Sequence, residues 1–231
     1  MLACDFHLHS FYSKDSYLPP KFIARYMRKL GYSAIAITDH DSVAGSLEAK
    51  KVCRHWEDFL VISGQEVKTE KGEIIVLGCE VDLKGKSMEE IIDLARENGW
   101  LTILPHPADL LRTSALIRKV SEGGMLEIAR KCDAVECFNS RCVCDLFNLK
   151  ARKLAGILEK PCVAGSDAHT LSELGSAKTL VRAEMSEESV LGAVKKGETE
   201  IEGKINFLLN HGKSFIVKFE RILKEKNKKI L

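Results

Sequence analysis

Several things are scarce in this 231-residue chain, and each scarcity excludes something. No apolar run approaches the roughly 18 residues that a membrane-spanning helix needs. Neither charge sign dominates: 35 basic residues face 33 acidic ones, a net charge of +2, too balanced to mark a nucleic-acid or membrane surface by charge alone. The opening MLACDFHLHS lacks the basic-then-apolar order of a secretory leader, so a cytoplasmic protein is expected. Eight cysteines are present but no CxxC pair, and in a long chain without a leader they are expected to be reduced. Cys132, Cys137, Cys142 and Cys144 come nearest to a cluster, and small core residues are a better reading of them than a structural zinc site. Gln65 is the only glutamine, which leans toward a heat-adapted source, where an intracellular disulfide is less surprising. There is no low-complexity linker and no short internal repeat.

What is present is a regular alternation of short β-branched apolar runs with longer helical patterns. Strands are expected over 2–6, 33–38, 100–106, 134–138, 161–167 and 178–183, with 60–67 and 73–81 as a strand pair turning near Lys71 and Gly72. Helices are expected over 20–30, 43–56, 87–98, 122–131, 143–159 and 186–196. In the first helix Phe22, Ile23, Tyr26, Met27 and Leu30 make one apolar stripe. The β-then-α order argues for a mainly parallel sheet covered by helices, and both an open doubly wound sheet and a barrel satisfy it.

Polar residues collect just beyond the strands. His7 and His9 follow the first, Asp39, His40 and Asp41 the second, and Glu66 ends the third. His106 follows WLTILP, Asn139 follows AVECF, and Asp167 and His169 follow PCVAG. Parallel α/β architectures place their sites at that end. Taken singly each has a plain explanation: an i, i+2 histidine pair shares one strand face, and Asp39 suits a helix cap. Together, imidazoles and carboxylates converging on one end are the donor set of a multi-metal hydrolytic site for Zn, Mn or Fe.

DFHLHSFYSKDS, AITDHDSVAG, SGQEV, LPHP and AGSDAH, in this order, resemble the polymerase and histidinol phosphatase (PHP) family over roughly residues 3–185. The resemblance implies an α/β fold, a distorted (β/α)7 barrel over 1–211, and two or three divalent metal ions. It also implies hydrolysis of a phosphate ester. By this analogy His7, His9, Glu66 and Asp167 hold one metal, with Glu66 bridging to a second. Asp15, His40 and His169 hold another ion, and His106 belongs to the second. Family members with three metals carry a histidine just beyond the asparagine–serine pair of the fourth motif. Here Phe138, Asn139, Ser140, Arg141 and Cys142 contain none, so Asn139 or Cys142 substitutes or that position is weak.

The expected chemistry is in-line attack on phosphorus by a metal-bound water ionised near neutral pH. His169 or a bound water protonates the leaving oxygen. Arg141, Arg112 and Asn139 are candidates to hold the substrate phosphate. Asp41 and Asp39 are candidates to orient His40 or a bound water. The expected substrate is a phosphorylated small molecule, in particular a nucleotide, or a short oligonucleotide, with no membrane and no stable nucleic-acid partner. Alternatives are a histidinol-phosphate-type phosphatase, a metal-dependent amidohydrolase and a non-catalytic metal-binding accessory module. Residues 212–231 form an expected C-terminal helical extension: Phe215, Ile216, Phe219, Ile222 and Leu223 share one face to pack on the barrel, and the remainder is basic.

Overall fold

A computed structural model describes residues 1–112 and 114–206. The expected helix at 212–231 lies outside the described residues. The chain alternates β1 (Leu2–Leu8), α1 (Pro20–Lys29), β2 (Ala34–Ile37), α2 (Ala44–Cys53) and β3 (Leu60–Ile62). A hairpin of β4 (Gly64–Thr69) and β5 (Gly72–Leu77) follows, then α3 (Met88–Asn98), β6 (Leu101–Leu104), α4 (Glu122–Lys131) and β7 (Ala134–Asn139). The described chain ends with α5 (Asp145–Ile157), β8 (Cys162–Gly165), β9 (Ala177–Val181), α6 (Glu187–Lys195) and β10 (Thr199–Gly203).

These strands form two five-stranded sheets, ordered β10-β9-β1-β2-β3 and β4-β5-β6-β7-β8. Both are mixed: β1-β2-β3 and β6-β7-β8 are parallel, while β9, β10 and the β4-β5-β6 meander pair antiparallel. The α/β class holds. Among the described residues the strands make two separate ladders, with no closed (β/α)7 barrel detected. The run LVISGQEV was expected to be one strand, yet it breaks at Ser63. Its first half pairs with β2 and its second half with β5, so one apolar run serves two sheets. Single parallel bridges tie the sheets where they meet, Leu8 with Ala168 and His40 with Glu66.

One core holds side chains from both sheets, among them Phe6, Ala36, Ile62, Ile75, Ile103 and Val163. From α6 it takes Val190, Leu191 and Val194, together with Leu2 and Leu101 at the starts of β1 and β6. A second core sets Ile91, Ile92 and Ala95 of α3 and Ile128 of α4 against β4 to β6. A third sets Ile23, Ala24 and Met27 of α1 and Ala49 of α2 against β1 to β3. The apolar stripe of α1 is narrower than its periodicity suggests, because Phe22 and Leu30 are exposed.

Local signals set the helix ends. Ser87 and Glu90 form a reciprocal capping box at α3, worth about 1 kcal/mol, and Gly99 closes the helix at φ 72°. The short β10 was not anticipated, because TEIEG alternates charge with few apolar residues. It extends the sheet by pairing with β9.

The cysteines depart from the reduced expectation. Cys137 in β7 and Cys162 in β8 form a disulfide, Cα to Cα 5.3 Å apart. The two strands are parallel neighbours with an irregularity between Glu136 and Phe138, and that irregularity brings Cys137 beside Cys162. Cys132 and Cys142 are buried and free, and Cys144 is exposed. Among the described residues these cysteines make no metal-ligand group.

Candidate metal centre

The site lies where the carboxyl ends of the two sheets meet. Backbone hydrogen bonds fix the meeting on both sides. Asp167 N–H donates to His7 O at 2.8 Å and His9 N–H to Ala168 O at 3.0 Å. Glu66 N–H donates to Asp39 O at 3.2 Å and Asp41 N–H to Glu66 O at 2.9 Å. Gly165 is required at the first seam, since a Cβ there would stand 2.3 Å from Glu136 Oε1 and 2.5 Å from His7 Cβ. Asp41, His106 and Asp167 all hold positive φ, at 56°, 28° and 53°. That backbone is costly for residues with a Cβ and is typically retained where a side chain must be aimed.

His7 and His9 are fully buried, and their Nε2 atoms lie 3.2 Å apart. Each ring is turned by a partner on its other nitrogen. His7 Nδ1 meets Glu136 Oε1 at 2.8 Å, and His9 Nδ1 meets Ser13 Oγ at 3.0 Å. Nδ1–H donation on both rings leaves both Nε2 lone pairs facing the same point. Glu66 Oε2 lies 3.6 and 3.5 Å from those nitrogens, and Asp167 Oδ1 lies 3.6 and 3.4 Å from them. Asp167 Oδ1 is buried and receives no hydrogen bond. Lone pairs and carboxylate oxygens converging with no donor between them are what a divalent cation fits and what a neutral core does not tolerate.

A second group adjoins the first. His9, His40 and His169 offer ligand atoms within 4.8 Å of one another. Asp15 reaches both outer imidazoles, with Oδ1 3.3 Å from His169 Nε2 and Oδ2 3.5 Å from His40 Nε2. Glu66 lies between the groups: Oε2 is 3.0 Å from His40 Nδ1, and Oε1 is 3.1 Å from His106 Nε2.

The charges agree with this geometry. Burial alone would strip the proton from His7, but Asp167, Glu136 and Glu66 together hold its pKa well above the imidazole range. Burial, with His169 and His40 nearby, pushes His9 well below that range. Burial also works against ionisation of Glu66 and Asp167, and is outweighed. His7 and His40 keep Glu66 well below the usual carboxylate range, and Arg112 and His7 do the same for Asp167. Positive charge is therefore called for at the Nε2 of His7, where a cation would displace the proton.

The supporting residues include several that the sequence did not single out. Glu136 is buried in β7 and is satisfied throughout: beside His7 it accepts from His106 N–H at 2.8 Å and Asn139 Nδ2 at 3.0 Å. Ser13 Oγ donates to Asp39 Oδ1 at 2.8 Å and accepts from His40 N–H at 3.1 Å. Asp39 also accepts from Ser10 Oγ at 2.6 Å, so it anchors the loop carrying Ser13 and reaches His9 only through it. Asp41 accepts from Lys68 N–H at 2.9 Å, turning it toward the backbone of β4. Glu73 is buried opposite Lys68 and lies 3.8 Å from His106 Nε2.

Arg141 is buried, with Nη1 2.7 Å from His169 Nδ1 and Nε 3.2 Å from Glu173 Oε1. Glu173 also accepts from the backbone N–H groups of His169 and Thr170, at 2.9 and 2.8 Å. A charged residue inside AVECF was the available signal for Glu136. The T-x-x-E spacing of Thr170 and Glu173 was the signal for the second.

An imidazole and carboxylate pocket at the open end of two α/β sheets defines a centre for divalent cations. The PHP domain family matches residues 5–138 and the PHP-associated C-terminal family matches 145–199. The chain belongs to the PHP family. It is 32% identical over 177 residues to the uncharacterized protein MJ0417 of Methanocaldococcus jannaschii, covering 76% of this chain and 69% of that one. A second protein of that organism, the uncharacterized MJ1587, is 38% identical over 117 residues, 46% of this chain and 68% of its own. Among solved structures, a two-domain Bacteroides vulgatus protein containing a predicted PHP-like metal-dependent phosphoesterase superposes with a TM-score of 0.71 at 17% identity. The match covers 88% of this chain, which spans only 65% of that protein. Among the described residues no helix is long and apolar enough to cross a membrane.

Proposed function

We propose that the protein is a metal-dependent phosphoesterase acting on a phosphate mono- or diester of a nucleotide or short oligonucleotide. The observation that carries this reading is the pair of Nε2 atoms of His7 and His9, 3.2 Å apart and faced by Glu66 and Asp167. His7, His9, Glu66 and Asp167 would hold one ion, and Asp15, His40 and His169 another, with Glu66 and His106 between them. When bound, such ions supply Lewis acidity toward the phosphoryl oxygens and acidify a water nucleophile.

The chain's own residues do the rest. Glu136 and Ser13 keep the imidazoles of His7 and His9 in the ligating tautomer. Glu173 holds Arg141 so that its guanidinium faces the site beside His169, placed to clamp a non-bridging phosphate oxygen. Asn139 bonds to Glu136 and Asp167, so its part is to position them and not to bind substrate. His169 carries the proton role only while its Nε2 is not committed to a cation.

The test is a phosphatase and nuclease screen on metal-reconstituted protein, with elemental analysis of the same sample. Activity should vanish on chelation and return with Mn, Fe or Zn. Turnover unchanged in fully demetallated protein, or no phosphoester cleaved by the loaded protein, overturns the reading.

A further inference from the structure

The two oxygens of Asp167 live in different surroundings. Oδ1 faces the Nε2 atoms of His7 and His9 and receives no hydrogen bond. Oδ2 is taken: Arg112 Nη2 pairs with it, and Asn139 Nδ2 donates to it at 3.2 Å. The guanidinium is fixed from two further sides, by Asp109 Oδ2 at 3.1 Å from Nε and by Asn139 Oδ1 at 3.3 Å from Nη2. Asp109 is itself buried. A carboxylate oxygen already holding a guanidinium and an amide has no lone pair left for a cation.

Several other acceptors beside Arg112 are committed as well. His7, His106 and Glu136 bring three ligand atoms within 4.8 Å. Glu136 Oε2 is spent on His106 N–H and Asn139 Nδ2, and Oε1 is turned to His7 Nδ1. Asn139 Oδ1 accepts from Arg141 N–H at 2.9 Å as well as from Arg112. The Cys142 thiol is buried, and among the described residues it belongs to no group of converging ligand atoms. Neither Asn139 nor Cys142 is therefore available to replace the histidine missing from the fourth motif.

We infer that Arg112 is a resident cation of the centre: its guanidinium occupies the outer oxygen of Asp167, limits that carboxylate to one ion, and leaves the protein with two tightly bound divalent ions and a fixed positive charge in place of a third. This rests on the metal-centre reading above and deepens it. The fixed charge has the sign a phosphate ester needs, and it does not leave with chelator.

The experiment counts ions. Protein reconstituted with Mn in phosphate- and sulfate-free buffer and gel-filtered should carry two Mn per chain by elemental analysis. Three tightly held ions overturn this inference alone, whereas none overturns it together with the metal-centre reading. Arg112→Ala and Arg112→Met release Oδ2 and remove the charge. Titration with Mn, followed by the electron paramagnetic resonance signal of the free ion, should show a third binding event or at least tenfold tighter binding of one ion. Arg112→Lys retains a charge at that position and should keep the wild-type count. Circular dichroism establishes which variants are folded. A folded Arg112→Ala or Arg112→Met with wild-type count and affinities overturns the inference, and if neither folds the wild-type count decides it.

Discussion

The sheet built on β1 brings imidazoles to the seam: His7 and His9 at the end of β1 and His40 after β2. The sheet running from β4 to β8 brings the carboxylates, Glu66, Glu136 and Asp167, with His106 and His169 in its loops. Neither edge is a site alone. In the first group the Nε2 lone pairs of His7 and His9 stand on one sheet and the facing carboxylates of Glu66 and Asp167 on the other, so that group exists only while the two ends are held in register. The four backbone hydrogen bonds at the seams do that, and they are short-range and directional where the shared apolar core is not.

The largest effect should come from removing one donor from each sheet. His9→Ala on the first and Asp167→Asn on the second are each expected to lower bound metal and to reduce kcat/KM about 10³-fold. If either variant keeps full metal content and rate, that sheet contributes scaffold only. Arg141→Ala should instead leave metal content intact and raise KM, and unchanged kinetics would make Arg141 purely structural.

Breaking the seam without touching a ligand separates geometry from chemistry. Gly165→Ala drives a methyl group into Glu136 Oε1 and the His7 Cβ, both of which are backed by packed strands. A loss of about 3 kcal/mol of stability is expected, measured by urea unfolding of demetallated protein. Wild-type stability would mean that the two sheet ends have freedom to separate. A smaller effect is expected one bond further out. Glu136→Gln cannot accept from His7, His106 and Asn139 at once, and it should weaken metal binding about 10- to 100-fold with the fold unchanged; isothermal titration checks it.

The same contrast explains what could be read from the chain. His7, His9, His40, Asp167 and His169 were legible because each stands at the end of its strand or within a few residues beyond it, and strand ends are where such sheets gather function. Helix α4 was legible to the residue, because Ser121 caps it and the apolar period is clear. Glu136 was not, because its meaning is a contact with His7, 129 positions away, and nothing in AVECF says which way its side chain turns at the irregularity of β7. The division of LVISGQEV was missed because an apolar run records burial and not partner: Ile62 and Val67 are equally buried, in different sheets. The disulfide was missed for a related reason, since compartment arguments weigh composition and not which strands lie side by side. Asp15 was placed by the family motif alone, and its reach to both His40 and His169 depends on how the loop after β1 folds back over the site.

The last prediction concerns thiols on both sides of the seam and should leave activity untouched. Cys4 in β1 and Cys132 before β7 are buried, and burial pushes both thiols up to about 12. Cys53 and Cys79 are pushed up to about 11, again chiefly by burial. A thiol with a pKa near 12 exposes only about one part in 10⁴ as thiolate at pH 8, and that fraction grows tenfold with each further pH unit. Cys144 is the exposed member of the six free cysteines. Native protein treated with a chromogenic disulfide reagent at pH 8 should therefore give one fast equivalent, and Cys144→Ser should abolish it without changing turnover. Unfolding in guanidinium without reductant should raise the total to six, because Cys137 and Cys162 are joined. A total of eight would show that the bond between β7 and β8 is absent. Two or more fast equivalents in the native state would show that one of the three cores opens far more readily than its packing indicates.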